Sequence, residues 1–535
     1  MCESVNKWTH FQQWCLEIPG LQLTLDLSRS GLTQEALAAF EQPCADALAS
    51  MAELEAGALA NPDEQRQVGH YWLRNPELAP TCEITEEIRN AWAALNEFTQ
   101  AVHAGTLVSS TGACFRDLLL VGIGGSALGP QLVHHAFRAA SDPLRVWFLD
   151  NTDPDGFDRV RADLGADLTA TLVVVVSKSG GTKETRNGML EVQAWFAEAG
   201  LDFAKHAVAV TGDGSELDCA AESQNWLRRF PLWDWVGGRT SELAVVGLLP
   251  AALQGVDWRQ LLAGAREMDV QTRNPKLASN PALLLAVAWH LAGEGQGKRT
   301  LVVLPYKDRL ELFGRYLQQL VMESLGKARD LSGALVHQGL TVYGNKGSTD
   351  QHAYVQQLRE GPDDCFVTFL AVREDRRGTS REVEPGITSG DYLHSFWLGT
   401  RAALTEAGRR SVSLVLDQFT PRTLGALIAL FERTVGYYAA LISINAYHQP
   451  GVEAGKAAAN EVLQLQQKLL GVLRDRPSQG WSAETLAETL AQPQSVELVF
   501  HLLEHLAANQ RLLREAGQTP FDATFRISGQ PTPAL

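Results

Sequence analysis

Two kinds of apolar run order this chain. The first is unbroken and β-branched: within ATLVVVVSKSGGTKETRNGM (170–189), residues 172–176 have no polar partner at alternate positions. A strand of that kind is buried on both faces, as in a parallel sheet. DLLLV before Gly122, RVWFLD (145–150) and HAVAVTGD (206–213) read as its neighbours, with helical segments between them. Strands alternating with helices imply a parallel sheet with crossover helices. A second series begins near residue 285, with strands at 300–306, 364–372 and 411–419 and helices over 307–327 and 392–408. The remainder has helical spacing: residues 34–60 and 83–102 are rich in Ala, Leu and Glu, and 463–535 are mostly helical with a Pro/Gly tail. The pattern predicts an α/β protein with a helical N-terminal extension (1–100), two α/β units (101–285 and 286–450) and C-terminal helices (451–535). The two units read as loose duplicates of one architecture.

Composition narrows the function. With 45% hydrophobic and 20% charged residues over 535 positions, the chain has the make-up of a soluble multidomain protein. Charges or glycines interrupt every apolar stretch, so no membrane span is expected. The opening MCESVNKWTH carries no basic region followed by an apolar one, so no secretory signal is expected either. Seven scattered cysteines without a C-x-x-C pair argue against a disulfide framework or zinc site and fit a reducing cytoplasm. A net charge of −16 disfavours nucleic acid as a partner. An anionic substrate would need a few well-placed cations.

Those cations sit at glycine turns and helix starts. The run at 172–176 ends in Ser177-Lys178-Ser179-Gly180-Gly181-Thr182 and then a helix to about Ala199. Strand, small polar loop and helix aim backbone N–H groups at an anion, and three hydroxyls and an ammonium add donors suited to phosphate. The plainer alternative is an ordinary βα turn capped by Thr182. Gly122-Ile123-Gly124-Gly125-Ser126-Ala127 fits the G-x-G-x-x-A dinucleotide fingerprint, with Asp150 as its acid, which keeps an oxidoreductase open. Two small-residue loops in one sheet favour a single pocket instead. Arg239, after Gly237 and Gly238, is either a solvated helix-entry residue or a fixed cation for developing negative charge. Gln319 and Glu323 share a helical face, and Glu323 lies at the edge of the apolar stripe, where a partly desolvated carboxylate suits general-base work; a surface pair with Lys327 is the alternative. His352 at a helix start and Lys456 after the Pro450-Gly451 break each have a purely structural reading as well. His70, Trp72 and Trp92 read as core or interface residues rather than ligands.

Together these groups suit proton transfer on a phosphorylated sugar, and at this point the sequence resembles the glucose-6-phosphate isomerase family. Five ordered blocks over about 115–465 carry the likeness: VGIGGSALGP, SKSGGTKET, VGGRTS, QQLVMESLGK with GSTDQHAY, and NAYHQPGVEAGK. The resemblance implies two sugar-isomerase (SIS) domains, each a parallel sheet flanked by helices. It implies that Ser177, Lys178, Ser179 and Thr182 hold the phosphate, with Gly125 and Ser126 lining the sugar site. Glu323 is implied as the base, Arg239 as the cation on a cis-enediolate, and His352 with Lys456 as the ring-opening pair. Gln319 and Gln449 would contact substrate. No metal or redox cofactor is implied, and the expected partners are a small sugar phosphate and a second copy of the chain, which by the family analogy would lend His352 across a homodimer interface. Gly181, Thr240, Glu242, Leu325, Asp350 and His448 depart from the usual family residues.

Overall fold

The computed structural model describes residues 2–165 and 167–528, and the chain forms two compact units, Met1–His448 and Gln449–Leu535. Two sheets organise the first unit. One has five strands, in the order Arg145–Leu149, Asp117–Val121, Thr171–Ser177, Ala207–Thr211 and Arg228–Pro231, every neighbouring pair parallel. The central strand is buried at all seven positions, as its unbroken apolar run predicts. One face of this sheet (Leu119, Val121, Val173, Val175) packs on Phe157, Val192 and Phe196 from helices Pro154–Leu164 and Lys183–Glu198. The other face (Leu118, Leu120, Leu172, Val174) joins the main core with helices Leu128–Phe137 and Val245–Gln254. The result is a three-layer sandwich.

The second sheet runs Cys15–Ile18, Leu23–Arg29, Ser411–Leu416, Cys365–Val372, Thr300–Tyr306, Val342–Tyr343. Its last four strands are parallel; the first two form an antiparallel edge. The expectation of a purely helical extension over 1–100 is thus corrected at residues 15–29. LTLDLSR alternates apolar and polar residues, the period of a strand. Its polar positions are nevertheless buried, because they have partners: Asp26 accepts from the Ser28 amide (2.9 Å) and from Arg401 Nη1 (2.6 Å). Arg228–Pro231 and Val342–Tyr343 are further strands too short to announce themselves.

Helix Pro421–Leu441 is, among the described residues, the one helix long and apolar enough to cross a bilayer, which corrects the expectation that none would be; it lies almost entirely buried inside the first unit. Glu432 and Arg433 of that helix belong to a chain of buried ion pairs. Arg273 binds Glu55 (2.6 Å), Glu55 binds Arg433, Arg433 binds Asp269 (3.1 Å), Asp269 binds Arg74 (3.0 Å) and Arg74 binds Glu432 (2.6 Å). Three cations alternate with three anions, which is what allows such charges to be buried at all.

The second unit has its own core, built on Leu469, Leu473, Leu503 and Phe525. Helices Pro450–Asp475, Ala483–Thr489 and Val496–Ala508 match the helical expectation, but Leu512–Glu515 and Thr524–Ile527 pair as an antiparallel hairpin. The Pro/Gly tail, 529–535, lies outside the described residues.

Candidate active site

The loop after the central strand of the first sheet is built to present donors. Ser177 closes the strand and its Oγ accepts from the Gly180 amide (3.1 Å); Ser179 Oγ accepts from the Gly181 amide (3.2 Å). Gly180 has φ +73°, and a Cβ there would lie 2.3 Å from the Leu217 nitrogen, so only glycine serves. Thr182 occupies the N-cap position of helix Lys183–Glu198, yet its hydroxyl takes no hydrogen bond from that helix. The simple capped-turn reading is therefore not what forms. Lys178 turns back across the loop, donating to the carbonyls of Asp234 (2.8 Å) and Val236 (3.1 Å). Burial, reinforced by the Arg66 charge, lowers its pKa to about 8.

Those carbonyls lead directly into the turn that carries Arg239. Ser241 Oγ donates to the carbonyl of Gly238 (2.7 Å) and lies within reach of that of Gly125 (3.2 Å), joining this turn to the loop of Gly124–Ser126. The two backbones touch so closely that a Cβ on Gly125 would sit 1.9 Å from the Gly238 oxygen. Of the fingerprint-like glycines themselves, Gly122 packs against Ser126 of its own loop (2.8 Å from a Cβ to the Ser126 Cβ) and Gly124 faces Gln319. Asp150, the acid a dinucleotide site would use, instead accepts from Gln131 Nε2 (2.8 Å).

Arg239 is 7% exposed and fully engaged: Nε donates to Ser324 Oγ (2.8 Å), and Nη2 to the carbonyls of Ala446 (2.7 Å) and His448 (3.1 Å). Its Nη1 lies 3.4 Å from Glu323 Oε2. Burial pulls its pKa down and Glu323 pushes it back; a guanidinium keeps its charge under both. Arg239 is therefore a buried, held guanidinium rather than a solvated helix-entry residue.

Glu323 ends a π-helical segment, Gln318–Glu323, set inside the helix expected over 307–327; that helix runs without interruption from 313 to 325, after a separate turn at Asp308–Leu310, and gives way to the short strand Lys327–Arg329. Wide turns of this kind recur at functional sites, where they re-aim side chains. Lys327 does not take the Glu323 carboxylate as the surface-pair alternative required: its ammonium donates to the Glu323 carbonyl (2.7 Å), leaving the partly buried carboxylate facing Arg239. Gln319 Nε2 comes within 3.1 Å of the Cβ position at Gly124, so the same turn also meets the glycine loop.

Gly125, Ser126, Arg239, Gln319 and Glu323 therefore converge, with Lys178 tying the loop of Ser177–Thr182 to them. His352 does not join them within the chain: it is exposed at the end of the short helix Gly347–Gln351. The residues before it are held firmly. Asp350 is 1% exposed and accepts from the Asn345 amide (3.0 Å) and Tyr354 hydroxyl (2.5 Å), while Gln351 donates to Tyr306 Oη (3.1 Å). Gln449 and Lys456 belong to the second unit, at the N-cap and second turn of helix Pro450–Asp475. Sequence reading missed Ser324 as the acceptor for Arg239; its one signal was adjacency to Glu323. His70, read as a core or interface residue, is indeed buried, and it lines a cavity of about 50 Å³ with Lys178, Arg239, Ser324, Glu432 and Tyr447.

A parallel α/β sheet whose small-residue loop is joined, through a glycine contact, to a turn where a carboxylate faces a buried guanidinium defines the class: an α/β protein of the sugar-phosphate isomerase kind. The chain belongs to the phosphoglucose isomerase family, whose sequence profile matches residues 26–385 and 400–472. It is 57% identical over 510 residues to the glucose-6-phosphate isomerase of Synechococcus elongatus, covering 95% of this chain and 96% of that one. To the glucose-6-phosphate isomerase of Thermosynechococcus vestitus it is 56% identical over 526 residues, covering 98% and 99%. Among solved structures, a glucose-6-phosphate isomerase from Chlamydia trachomatis superposes with TM-score 0.78 at 28% identity, over 87% of this chain and 93% of that one.

Proposed function

We propose that this chain interconverts glucose 6-phosphate and fructose 6-phosphate through ring opening and a cis-enediolate, the step shared by glycolysis and gluconeogenesis. The observation that carries this reading is the Glu323 carboxylate 3.4 Å from the buried Arg239 guanidinium. Glu323 takes the proton from carbon two of the open aldose and returns it to carbon one, and the hydroxyl proton moves in the same sense, from O2 to O1; carbon one is reduced as carbon two is oxidised, with no net redox change. Arg239 holds the charge that develops on the enediolate oxygens. Its hydrogen bonds to Ser324 and to the carbonyls of Ala446 and His448 keep it from reorganising as that charge appears. Ser177, Lys178, Ser179 and Thr182 hold the phosphate, Gly125, Ser126, Gln319 and Gln449 contact the sugar, and His352 with Lys456 opens the ring. Phosphate binding does no chemistry itself but positions the reacting carbons.

The two sheet bodies act as paired SIS-type domains. Because His352 is exposed on its own chain, a homodimer in which it completes the partner's site accounts for its position. A cytoplasmic setting fits the unpaired thiols among the described cysteines.

The test is a coupled assay of fructose 6-phosphate conversion, paired with solvent exchange at carbon two. Glu323→Gln should remain folded and lose on the order of 10²- to 10⁴-fold in kcat together with exchange. Undiminished exchange in that variant would remove Glu323 as the base, and a wild-type protein without isomerase activity would remove the reading altogether.

A further inference from the structure

Three residues beyond Arg239, Glu242 is 2% exposed, and neither carboxyl oxygen has a hydrogen-bond partner. Its side chain fills a slot with two glycine walls. A Cβ at Gly129 would lie 2.1 Å from Glu242 Oε2, and one at Gly247 would lie 2.4 Å from its Cδ and 2.1 Å from its carbonyl oxygen. Gly129 stands in the first turn of helix Leu128–Phe137, which follows the Gly125–Ser126 loop directly; Gly247 stands in helix Val245–Gln254, packed against it. The neighbouring Ser241 already bonds the Arg239 turn and reaches the Gly125 carbonyl.

We propose that Glu242 is a positioning residue for the isomerisation, a wedge that sets the Arg239 turn against the helix behind the sugar loop. The proposal rests on the function assigned above. Its chemistry follows from what surrounds the carboxyl. Helix Val245–Gln254 contributes no titratable group, and the histidines of Leu128–Phe137 are turned elsewhere, His134 to Gln254 and His135 to the Asp308 carbonyl. The charged and titratable groups near it are Glu432, itself bound to Arg74, and the buried Tyr316 phenol. Burial first, and Glu432 second, hold the Glu242 carboxyl well above the usual carboxylate range, so the wedge is seated as the neutral acid. Ionisation would place an unpaired charge in an apolar slot beside Glu432. The wedge would leave, and the guanidinium would lose its register with the sugar loop.

The experiment compares Glu242→Ala and Glu242→Gln in the full chain by steady-state kinetics across pH. Glu242→Ala is expected to lower kcat about 100-fold, the cost of misplacing a catalytic group by about 1 Å, with KM changed less than about threefold. Glu242→Gln, neutral at every pH, should recover most of that kcat and extend the alkaline limb of the kcat profile. A folded Glu242→Ala with near-normal kcat, or one that changes KM instead, would overturn the positioning role. Should Glu242→Ala fail to fold, Glu242→Gln decides: an alkaline limb unchanged from wild type defeats the proposal. Loss of the isomerase reading shows separately, as an inactive wild type.

Discussion

Lys178 carries its charge in a place that disfavours it. In the unfolded chain a lysine titrates near 10.4; here burial brings it to about 8. Between those values the unfolded chain binds more protons, so the cost of holding this ammonium, full below pH 8, fades as pH rises toward the ordinary lysine range. Substrate binding responds in the opposite sense, since the cation that faces a phosphate disappears over the same interval. KM for fructose 6-phosphate should therefore climb above pH 8. Lys178→Ala should show a raised KM at every pH and no inflection near 8; an unchanged KM would detach this lysine from phosphate binding. The loop's composition named Lys178 as a donor, but nothing in it pointed to the carbonyls of Asp234 and Val236, more than fifty residues on. Partners across that much chain are invisible to local pattern.

At the scale of elements, two small-residue turns decide the geometry. The 1.9 Å approach of a Gly125 Cβ to the Gly238 oxygen means any side chain must push the sugar loop off the Arg239 turn. Gly125→Ala should cost on the order of 100-fold in kcat and about 1–3 kcal/mol in stability, as overpacking does. Gly181→Ala is the matched control, because its methyl would meet nothing nearer than Ser179 Oγ at 3.8 Å. Activity assays with a thermal melt on each separate the two. Elements with long uniform patterns were legible beforehand: Thr300–Tyr306 matches its expected bounds, and Thr171–Ser177 exceeds its core by one residue at each end. Leu23–Arg29 was not, because its buried Asp26 depends on Arg401, supplied by a distant helix. The π segment at Gln318–Glu323 was also hidden, since the apolar spacing of 307–327 suits an ordinary α-helix and the extra residue of a wide turn leaves no compositional mark.

On the scale of the whole molecule, the catalytic groups divide between what one chain brings together and what it leaves apart. Glu323 and Arg239 meet; His352 stays at the surface. Mixing Glu323→Gln with His352→Ala protein should therefore restore on the order of a quarter of wild-type activity, since half of randomly exchanged dimers hold one intact site if the histidine is shared. No recovery after verified exchange would assign each His352 to its own chain.

The long reach of the first unit also governs when it can be made. Leu23–Arg29 pairs with Ser411–Leu416, and Glu55 binds Arg433. At ordinary elongation rates these early segments leave the ribosome roughly 20–80 s before their partners exist. Until then Glu55 stays hydrated and the Leu-rich strand keeps one side unpaired, so the nascent chain carries an exposed strand that a chaperone can shield or a neighbour can capture.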